Sequence, residues 1–509
     1  MISFSAQKLK RFFTSYWLLI LLFLTFLLRL PLLFEPFTYG DEGIYLTLGQ
    51  GIRKGLTLYR DIHDNKPPML YLMAAASQNF TLYRFGYFCW SFITLLVFYQ
   101  LAKLLLGKTN KRGIFLSTAF FAILTSLPMF EGNIGNAENF MILPVMAGFY
   151  LIIEHLEPFK QKGRIIFFWW FLSGILFSLA GLFKIPAIFD FAAAFCLALI
   201  FIERKNARRL IMFLATSFIG FLLPLAISFV YFYLKGSFWQ YFVAAFAQNL
   251  PYLSSWSGAA TTKTTGLPLA LLTRAGSVFI IFILIFFFRK KLSLTFKTLV
   301  LWFSFSIFAA LLSARPYPHY FIQALPPFCL ALGLIFQKKV KFRLEKWLPV
   351  IFFITIVISF VSFRFWYYPN WVYYKNFYQY ALKIKDKDEY YRYFSSQTQA
   401  IYQTADFIKN RTTSQEKIFI WGTQPSIYAL ANRLPVGRYT VSYHIIDFNA
   451  YEETIRALLK NPPQWLIVTQ DEKKPFPELD NFIKTKYILF QTFGQFQIFY
   501  QLPKIAQVW

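Results

Sequence analysis

Stretches of about 18 or more apolar residues recur through the first 365 positions, and they limit the fold more than any other feature of the sequence. A helix needs about 20 residues to cross the ~30 Å hydrocarbon core of a bilayer. Lipid offers backbone N–H and C=O groups no partners, so runs of this kind must satisfy themselves as helices. A length of 509 residues would accommodate two or three soluble domains, but 57% hydrophobic residues, 65 phenylalanines and a mean hydropathy of +0.45 exclude that reading. The expectation is a mainly α, polytopic transmembrane helical bundle. Its spans lie at roughly 12–34, 83–106, 114–130, 138–155, 165–183, 186–202, 208–234, 267–288, 295–313, 318–337 and 347–364.

The net charge of +28 fits this picture and does not call for nucleic acid. Of 52 basic and 24 acidic residues, 35 and 12 precede residue 366. Basic residues gather in every second loop: Lys8, Lys10 and Arg11; Lys103, Lys108, Lys111 and Arg112; Lys160, Lys162 and Arg164. The series continues with Arg204, Lys205, Arg208 and Arg209, then Arg289, Lys290 and Lys291, then Lys338, Lys339, Lys341, Arg343 and Lys346. By the positive-inside rule these loops are cytoplasmic. An odd number of spans then puts the C-terminal segment outside a plasma membrane. Residues 8–34 resemble a signal peptide, but the apolar run is too long and lacks an A-x-A exit, so an uncleaved first span is expected. Cys89, Cys196 and Cys329 lie in apolar runs without metal-binding or disulfide spacing.

The alternate loops are different. Eight of the twelve acids before residue 366 fall on this side: Glu35, Asp41, Glu42, Asp61, Asp64, Glu131, Glu138 and Asp190. His63 and His319 join them, with a few isolated cations. One face that collects acids beside a membrane is where chemistry is expected. The richest piece runs from Tyr39 to Tyr71. Within it Ile44, Tyr45, Leu48 and Ile52 fall on one helical face and Glu42, Gln50 and Arg53 on the other, which predicts a short amphipathic helix along the membrane surface. Gly55 would stop it, and Lys66-Pro67-Pro68 would redirect the chain into a second interfacial segment. The loop at 235–266 is aromatic (Trp239, Tyr241, Tyr252, Trp256) but too polar to span, and reads as a lid or lipid-facing gate.

Three divisions follow: 1–365, the membrane part; 366–394, an aromatic and charged interfacial linker; and 395–509, a small extracytoplasmic α/β domain. In the last, the pattern predicts helices at 396–409 and, after an Asp or Asn cap, at 449–459. It predicts strands at 417–421 and 465–468 and a hairpin from 487–490 and 496–500. No Gly-rich nucleotide loop is present.

Asp41-Glu42, Tyr45, the run Gly55-x-x-x-Tyr59-x-Asp61 and Lys66-Pro67-Pro68 resemble the first extracytoplasmic loop of the GT-C membrane glycosyltransferases. The branch is that of the protein O-mannosyltransferases and the bacterial aminoarabinose transferase. NAENF (136–140), the turn around Lys184, HYFIQALPP (319–327) and residues 418–439 resemble later marks of the same group. The resemblance implies an inverting transferase with a polyprenyl-phosphate-linked sugar as donor and an acceptor outside the cytoplasm, whether glycan, lipid or protein. It also implies a GT-C bundle with two interfacial helices in the first loop. No motif fixes the sugar, and the tail does not look like the sugar-binding inserts of eukaryotic members.

Such chemistry needs a base for the acceptor proton and cations for the departing phosphate. By the resemblance Asp41 is the base, against the alternative of a helix N-cap. Glu42 supports Asp41 or stands as a first-turn acid favoured by the helix dipole. Glu138 is the third catalytic candidate. Lys66, Lys184, Arg315 and His319 are candidate phosphate contacts, against snorkelling to lipid headgroups as the alternative for all four. Asp61, Tyr45, Tyr59 and Tyr320 complete the substrate-binding set, with ion pairing or packing as their alternatives. No cofactor is demanded; a divalent cation held by Glu138 and His319 is compatible with their chemistry. Two other classes compete: a transporter or flippase of lipid-linked glycans, which would favour mid-membrane charges in paired halves, and a surface-glycan ligase or polymerase.

Overall fold

The computed structural model of this chain describes residues 6–156, 165–201, 207–250, 269–337 and 340–503. The basic positions 160, 162, 164, 204, 205, 338 and 339, and the part of the 235–266 loop holding Tyr252 and Trp256, lie outside the described residues.

In chain order the helices are α1 (Ala6–Arg29), α2 (Gly40–Arg53), α3 (Met69–Ser77), α4 (Phe80–Leu106), α5 (Lys111–Leu124), α6 (Ala137–Glu154), α7 (Ile165–Phe183) and α8 (Ile188–Leu199). They continue as α9 (Ala207–Leu234), α10 (Phe238–Ala245), α11 (Leu269–Phe287), α12 (Leu294–Ala310), α13 (Leu325–Leu332) and α14 (Leu348–Ser362). Among the described residues eight helical segments are long and apolar enough to cross a membrane, and two shorter ones span Ile185–Leu199 and Leu294–Ala310. The protein is an integral membrane protein. A helical segment lies at each of the eleven expected positions, but the expected span 114–130 is cut to α5, 14 residues. Pro128 forces Leu127 into extended backbone (φ −76°, ψ 137°), so the chain leaves the helix and restarts as a 3₁₀ turn at Pro128–Phe130.

The chain folds as two compact units, which group it differently from the divisions at 365 and 394. The first comprises Met1–Leu32, Tyr87–Ser228 and Asn249–Asn370. Its inner helices carry the polar residues: the segments Pro318–Phe336 and Ala137–Glu154 are 78% and 72% buried, against 11% for Leu269–Phe287, which leaves its apolar surface for lipid. Small residues bring helices together. A Cβ on Gly174 of α7 would stand 1.9 Å from the Ser217 carbonyl of α9, and one on Gly220 of α9 would stand 2.1 Å from the Phe171 carbonyl.

The second unit comprises Leu33–Gly86, Phe229–Gln248 and Trp371–Trp509. The stretch expected to be a linker is helical, as α15 (Asn370–Ala381) and α16 (Lys387–Arg392), the latter held by a capping box between Asp386 and Glu389. Then follow α17 (Thr398–Arg411), β1 (Lys417–Trp421), α18 (Ser426–Ala431), β2 (Leu434–Pro435), α19 (Ser442–Asp447), α20 (Tyr451–Lys460), β3 (Trp465–Thr469), α21 (Pro477–Lys486), β4 (Tyr487–Phe493) and β5 (Phe496–Gln501). The sheet order is β2-β1-β3-β5-β4; β1 is parallel to β2 and β3, and β5 is antiparallel to β3 and β4. Alternation splits the core across the sheet. Ile418 and Ile420 pack with α17 and α18 on one face, while Phe419 and Trp421 pack with α20 and α21 on the other. The expected helix, strands and hairpin are present, but α20 starts on Ala450 without a side-chain cap.

The first-loop helix departs from expectation. α2 runs from Gly40 to Arg53 and ends before Gly55 (φ +85°). Residues Glu42–Gly51, however, are all buried, so α2 is a core helix and not an amphipathic surface helix. Its polar positions are covered because they have partners: Glu42 takes Arg84 and Gln50 donates to Asn432. Gly43 lets the backbone of α18 approach, since a Cβ there would stand 2.6 Å from the Ser426 nitrogen.

The close approach of α7 and α9 gives a test. Gly174→Leu should destabilise the protein by about 1–3 kcal/mol or more through overpacking. Gly276→Leu, where a Cβ meets nothing within 4 Å, should leave stability unchanged. Thermal unfolding in detergent checks this, and equal effects of the two substitutions would refute it.

Candidate active site

The residues singled out from the sequence fall into two sets, one in each compact unit. Asp41, Glu42, Tyr45, Tyr59, Asp61 and Lys66 belong to the second unit; Glu138, Lys184, Arg315, His319 and Tyr320 belong to the first.

In the second unit the turn before α3 brings Lys66 to Asp41. The Lys66 ammonium lies 3.5 Å from Asp41 Oδ2, 3.7 Å from Asp64 Oδ2 and 5.0 Å above the Tyr45 ring. The Tyr45 hydroxyl donates to Asp41 Oδ2 at 2.9 Å. Asp41 does not cap α2: the N-cap position is Tyr39, and Asp41 sits in the first turn with its side chain 31% exposed. A carboxylate that is reachable, oriented by a phenol and paired with a lysine can take a proton from an incoming group. Burial pushes the Tyr45 hydroxyl well above its ordinary pKa, with the Asp41 charge adding to it, so it stays a donor.

Asp64 is the fixed point beneath this pair. It is fully buried and accepts from the Tyr71 hydroxyl at 2.7 Å and from the Asn65 N–H at 2.8 Å. Burial alone would raise its pKa, but Lys66, His444 and these hydrogen bonds outweigh that and hold it below the ordinary carboxylate value. The turn itself is gripped by tyrosines: Tyr59, at φ +69°, donates to the Lys66 carbonyl at 2.8 Å, and the Lys66 N–H donates to the Tyr71 hydroxyl at 3.1 Å. Tyr59 is buried against Tyr241 and Phe232, so α10 packs beneath the first loop where a lid was expected. Asp61 pairs with Arg60 at 2.8 Å.

Glu42 has a different station. Its carboxylate is buried and accepts from Arg84 Nε and Nη2 at 2.9 and 2.7 Å, while Arg84 also donates to the carbonyls of Glu35 and Pro36. That makes it the counter-ion that fixes the entry of α2. His63 and His444 close the other side of Asp64. His444 Nε2 is 3.5 Å from Asp64 Oδ1, and the His63 ring stands edge-on to His444. Burial, with His444 and Arg438 nearby, lowers His63 to about 3; burial likewise lowers His444.

In the first unit Glu138 opens α6 and is buried. Its Oε1 accepts the Lys184 ammonium and stands 3.7 Å from His319 Nε2. His319 Nδ1 pairs with Glu131 Oε2, which also accepts from Asn136 at 3.2 Å. Lys184 lies 3.9 Å over the Tyr320 ring. Arg315 belongs to the same turn as Tyr317 and His319, and its N–H donates to Ser313 Oγ at 3.4 Å. Buried Arg29 donates to the carbonyls of Gly132 and Thr125 at 2.9 and 2.6 Å and so holds the loop that carries Glu131. Among the described residues no group of three or more His, Cys, Asp or Glu side chains is disposed to hold a metal ion. Glu138 and His319, offered for one from the sequence, are engaged by Lys184 and Glu131.

Several residues escaped the sequence reading. Arg84 and Arg29 are buried cations within apolar runs, a signal that was available. Tyr71 and His444 gave none, since their roles depend on contacts between distant parts of the chain.

No protein-family model matches this sequence, and no curated protein matches it. The fold does match solved structures. ArnT from Cupriavidus metallidurans bound to undecaprenyl phosphate superposes with a TM-score of 0.57 and 10% identity, over 97% of this chain and 99% of that one. The apo state of the same protein gives a TM-score of 0.54 and 12% identity, over 96% and 98%. The archaeal oligosaccharyltransferase AglB from Archaeoglobus fulgidus, in complex with an inhibitory peptide and a dolichol-phosphate, gives 0.48 and 13%, over 97% and 75%. The chain has the fold of ArnT over nearly its whole length.

Two measurements follow from the site. Glu42→Gln removes the carboxylate that accepts from buried Arg84, and a loss of about 3–5 kcal/mol is expected in thermal unfolding. Between pH 6.5 and about 3 the unfolded chain binds a proton at His63 that the folded chain refuses. Stability therefore falls as the pH drops through that window, at up to about 1.4 kcal/mol per pH unit. In His63→Phe the apparent Tm should fall less steeply between pH 6.5 and 4; an unchanged slope would refute the assignment.

Proposed function

We propose that this protein is an inverting glycosyltransferase that moves a sugar from a polyprenyl-phosphate donor to an acceptor outside the cytoplasm. The observation that carries the reading is the Asp41–Lys66–Asp64 constellation, a reachable carboxylate and a cation held together by a buried acid. The GT-C fold supports it, as does the undecaprenyl phosphate bound to ArnT.

In this reading the acceptor hydroxyl or amine attacks the anomeric carbon from the face opposite the phosphate. The new bond to carbon forms as the carbon–oxygen bond to the phosphate breaks, and the acceptor proton passes to Asp41. The electron pair of the broken bond stays with the polyprenyl phosphate. Lys66 has two tasks. In the resting protein it pairs with Asp41; the donor's phosphodiester competes for the same ammonium, and the charge that develops on the departing phosphate draws Lys66 to it. Asp64, 3.7 Å from the ammonium, holds Lys66 in place throughout. One carboxylate base and direct displacement give inversion.

Lys184, Arg315 and His319 are proposed separately, as cations of the first unit suited to a phosphate, with Glu138 and Tyr320 orienting Lys184. A divalent cation at Glu138 and His319 is a further proposal through which no step is routed. The orientation with the N-terminus in the cytoplasm rests on the loop charges.

The test uses purified protein in lipid with a panel of radiolabelled polyprenyl-phosphate sugars, following loss of label from the lipid. One donor should turn over, and Asp41→Asn should lower kcat by about 10²–10⁴ with the fold intact. Turnover unaffected by Asp41→Asn would remove Asp41 as the base. Failure of every donor, with a panel of acceptors supplied and no stabilisation by donor binding, would favour the flippase reading.

A further inference from the structure

Along the C-terminal half of α2, from Leu46 to Arg53 and so about 8–18 Å from Asp41 by the helix rise, the second unit contains a cavity whose lining includes none of Asp41, Asp64 and Lys66. Its volume is about 460 Å³, inside the ~300–1,000 Å³ range of small-molecule sites. Amide side chains line it: Gln50, Gln78, Asn79 and Asn432. Phe37 and Phe80, stacked at 4.7 Å, supply an apolar wall. No carboxylate lines it.

Arg53 is the cation among its lining residues, and Lys54 and Arg433 directly follow the lining residues Arg53 and Asn432 in the chain. Arg53, in the wall, donates to the carbonyls of Ala75 and Gln78 at 3.1 and 2.9 Å. Lys54 donates to the Ser414 carbonyl at 2.7 Å, and Arg433 to the Thr412 and Ala431 carbonyls at 2.6 and 2.9 Å. Neutral oxygens orient these three groups but leave their charge uncancelled, and Arg53 and Arg433 both act on Lys54. Glu416 tempers Arg433 alone. Positive charge beside a ring of amides and an aromatic wall is the chemistry that holds a polyol carrying a negative charge: amides meet hydroxyls, rings meet the C–H face, and cations meet phosphate or carboxylate.

We propose that this cavity binds an anionic saccharide headgroup, a phosphorylated or carboxylated polyol. Phe80 and Thr81, which line it, also begin the membrane helix α4, so the headgroup can arrive on a lipid as well as free.

The test uses full-length protein and reads binding without turnover, so it stands or falls apart from the transferase reading. In phosphatidylcholine nanodiscs, myo-inositol 1-phosphate is titrated calorimetrically, with inositol and inorganic phosphate as comparisons. Nanodiscs containing phosphatidylinositol, read by native mass spectrometry, supply the lipid-borne form. Inositol 1-phosphate should bind saturably and more tightly than either comparison, and Arg53→Gln combined with Lys54→Gln should weaken it roughly tenfold or more. Thr81→Trp, which fills the cavity without changing charge, should do the same, and exposed Lys54→Gln alone serves if the double variant fails to fold. Binding of both forms makes the free headgroup sufficient, and binding of phosphatidylinositol alone assigns the site to a lipid. Binding of neither form, binding unchanged in the variants, or inorganic phosphate binding as tightly as the sugar phosphate would overturn the proposal.

Discussion

A charge taken out of water must be met by another charge or by several aligned dipoles, and the interior of this protein is arranged around that requirement. Glu42 meets Arg84, Glu138 meets Lys184, Glu131 meets His319, and Asp64 meets Lys66 and His444. Asp190, fully buried, receives Trp302, Ser306 and Gln323. Apart from Asp64 and Lys66, which share one turn, each pair joins elements far apart in the sequence, so the pairs also fix the loops that carry them. Leaving one partner alone costs about 3–5 kcal/mol, so each pair must form together with the packing that buries it.

The same requirement separates structural from chemical roles. Glu42 and Asp41 are neighbours in sequence, yet one helix turn assigns them opposite fates. Glu42 points to Arg84 and is sealed; Asp41 stays reachable, held only by a tyrosine hydroxyl and a lysine at 3.5 Å. In the proposed reaction the base has to exchange partners, and of the two acids Asp41 is the one held loosely enough to do so.

Much of this was legible in advance. Run length placed a helix at all eleven expected positions, and Gly55 and the Lys66-Pro67-Pro68 turn marked the ends of the first-loop helices. Alternation within KIFIW (417–421) and WLIV (465–468) foretold the strands. What failed did so for identifiable reasons. The span at 114–130 was overdrawn because an apolar composition hid the stop at Pro128. The amphipathic reading of α2 failed because Glu42 and Gln50 look solvent-bound until Arg84 and Asn432 are known to cover them. The stretch 366–394, read as a linker, carries two short helices.

The sequence alone determined that the chain crosses a membrane, where its helices and strands lie and which loops gather acids, because these follow from local composition and from the length a bilayer demands. Only the tertiary structure decided which cation answers which acid. It also decided that the first loop shares a compact unit with the C-terminal segment, and that Asp64 and His444 stand behind Lys66. Those outcomes depend on side chains hundreds of residues apart meeting in a low-dielectric interior, where an electrostatic preference is strong but acts only once packing has brought the partners within a few ångströms.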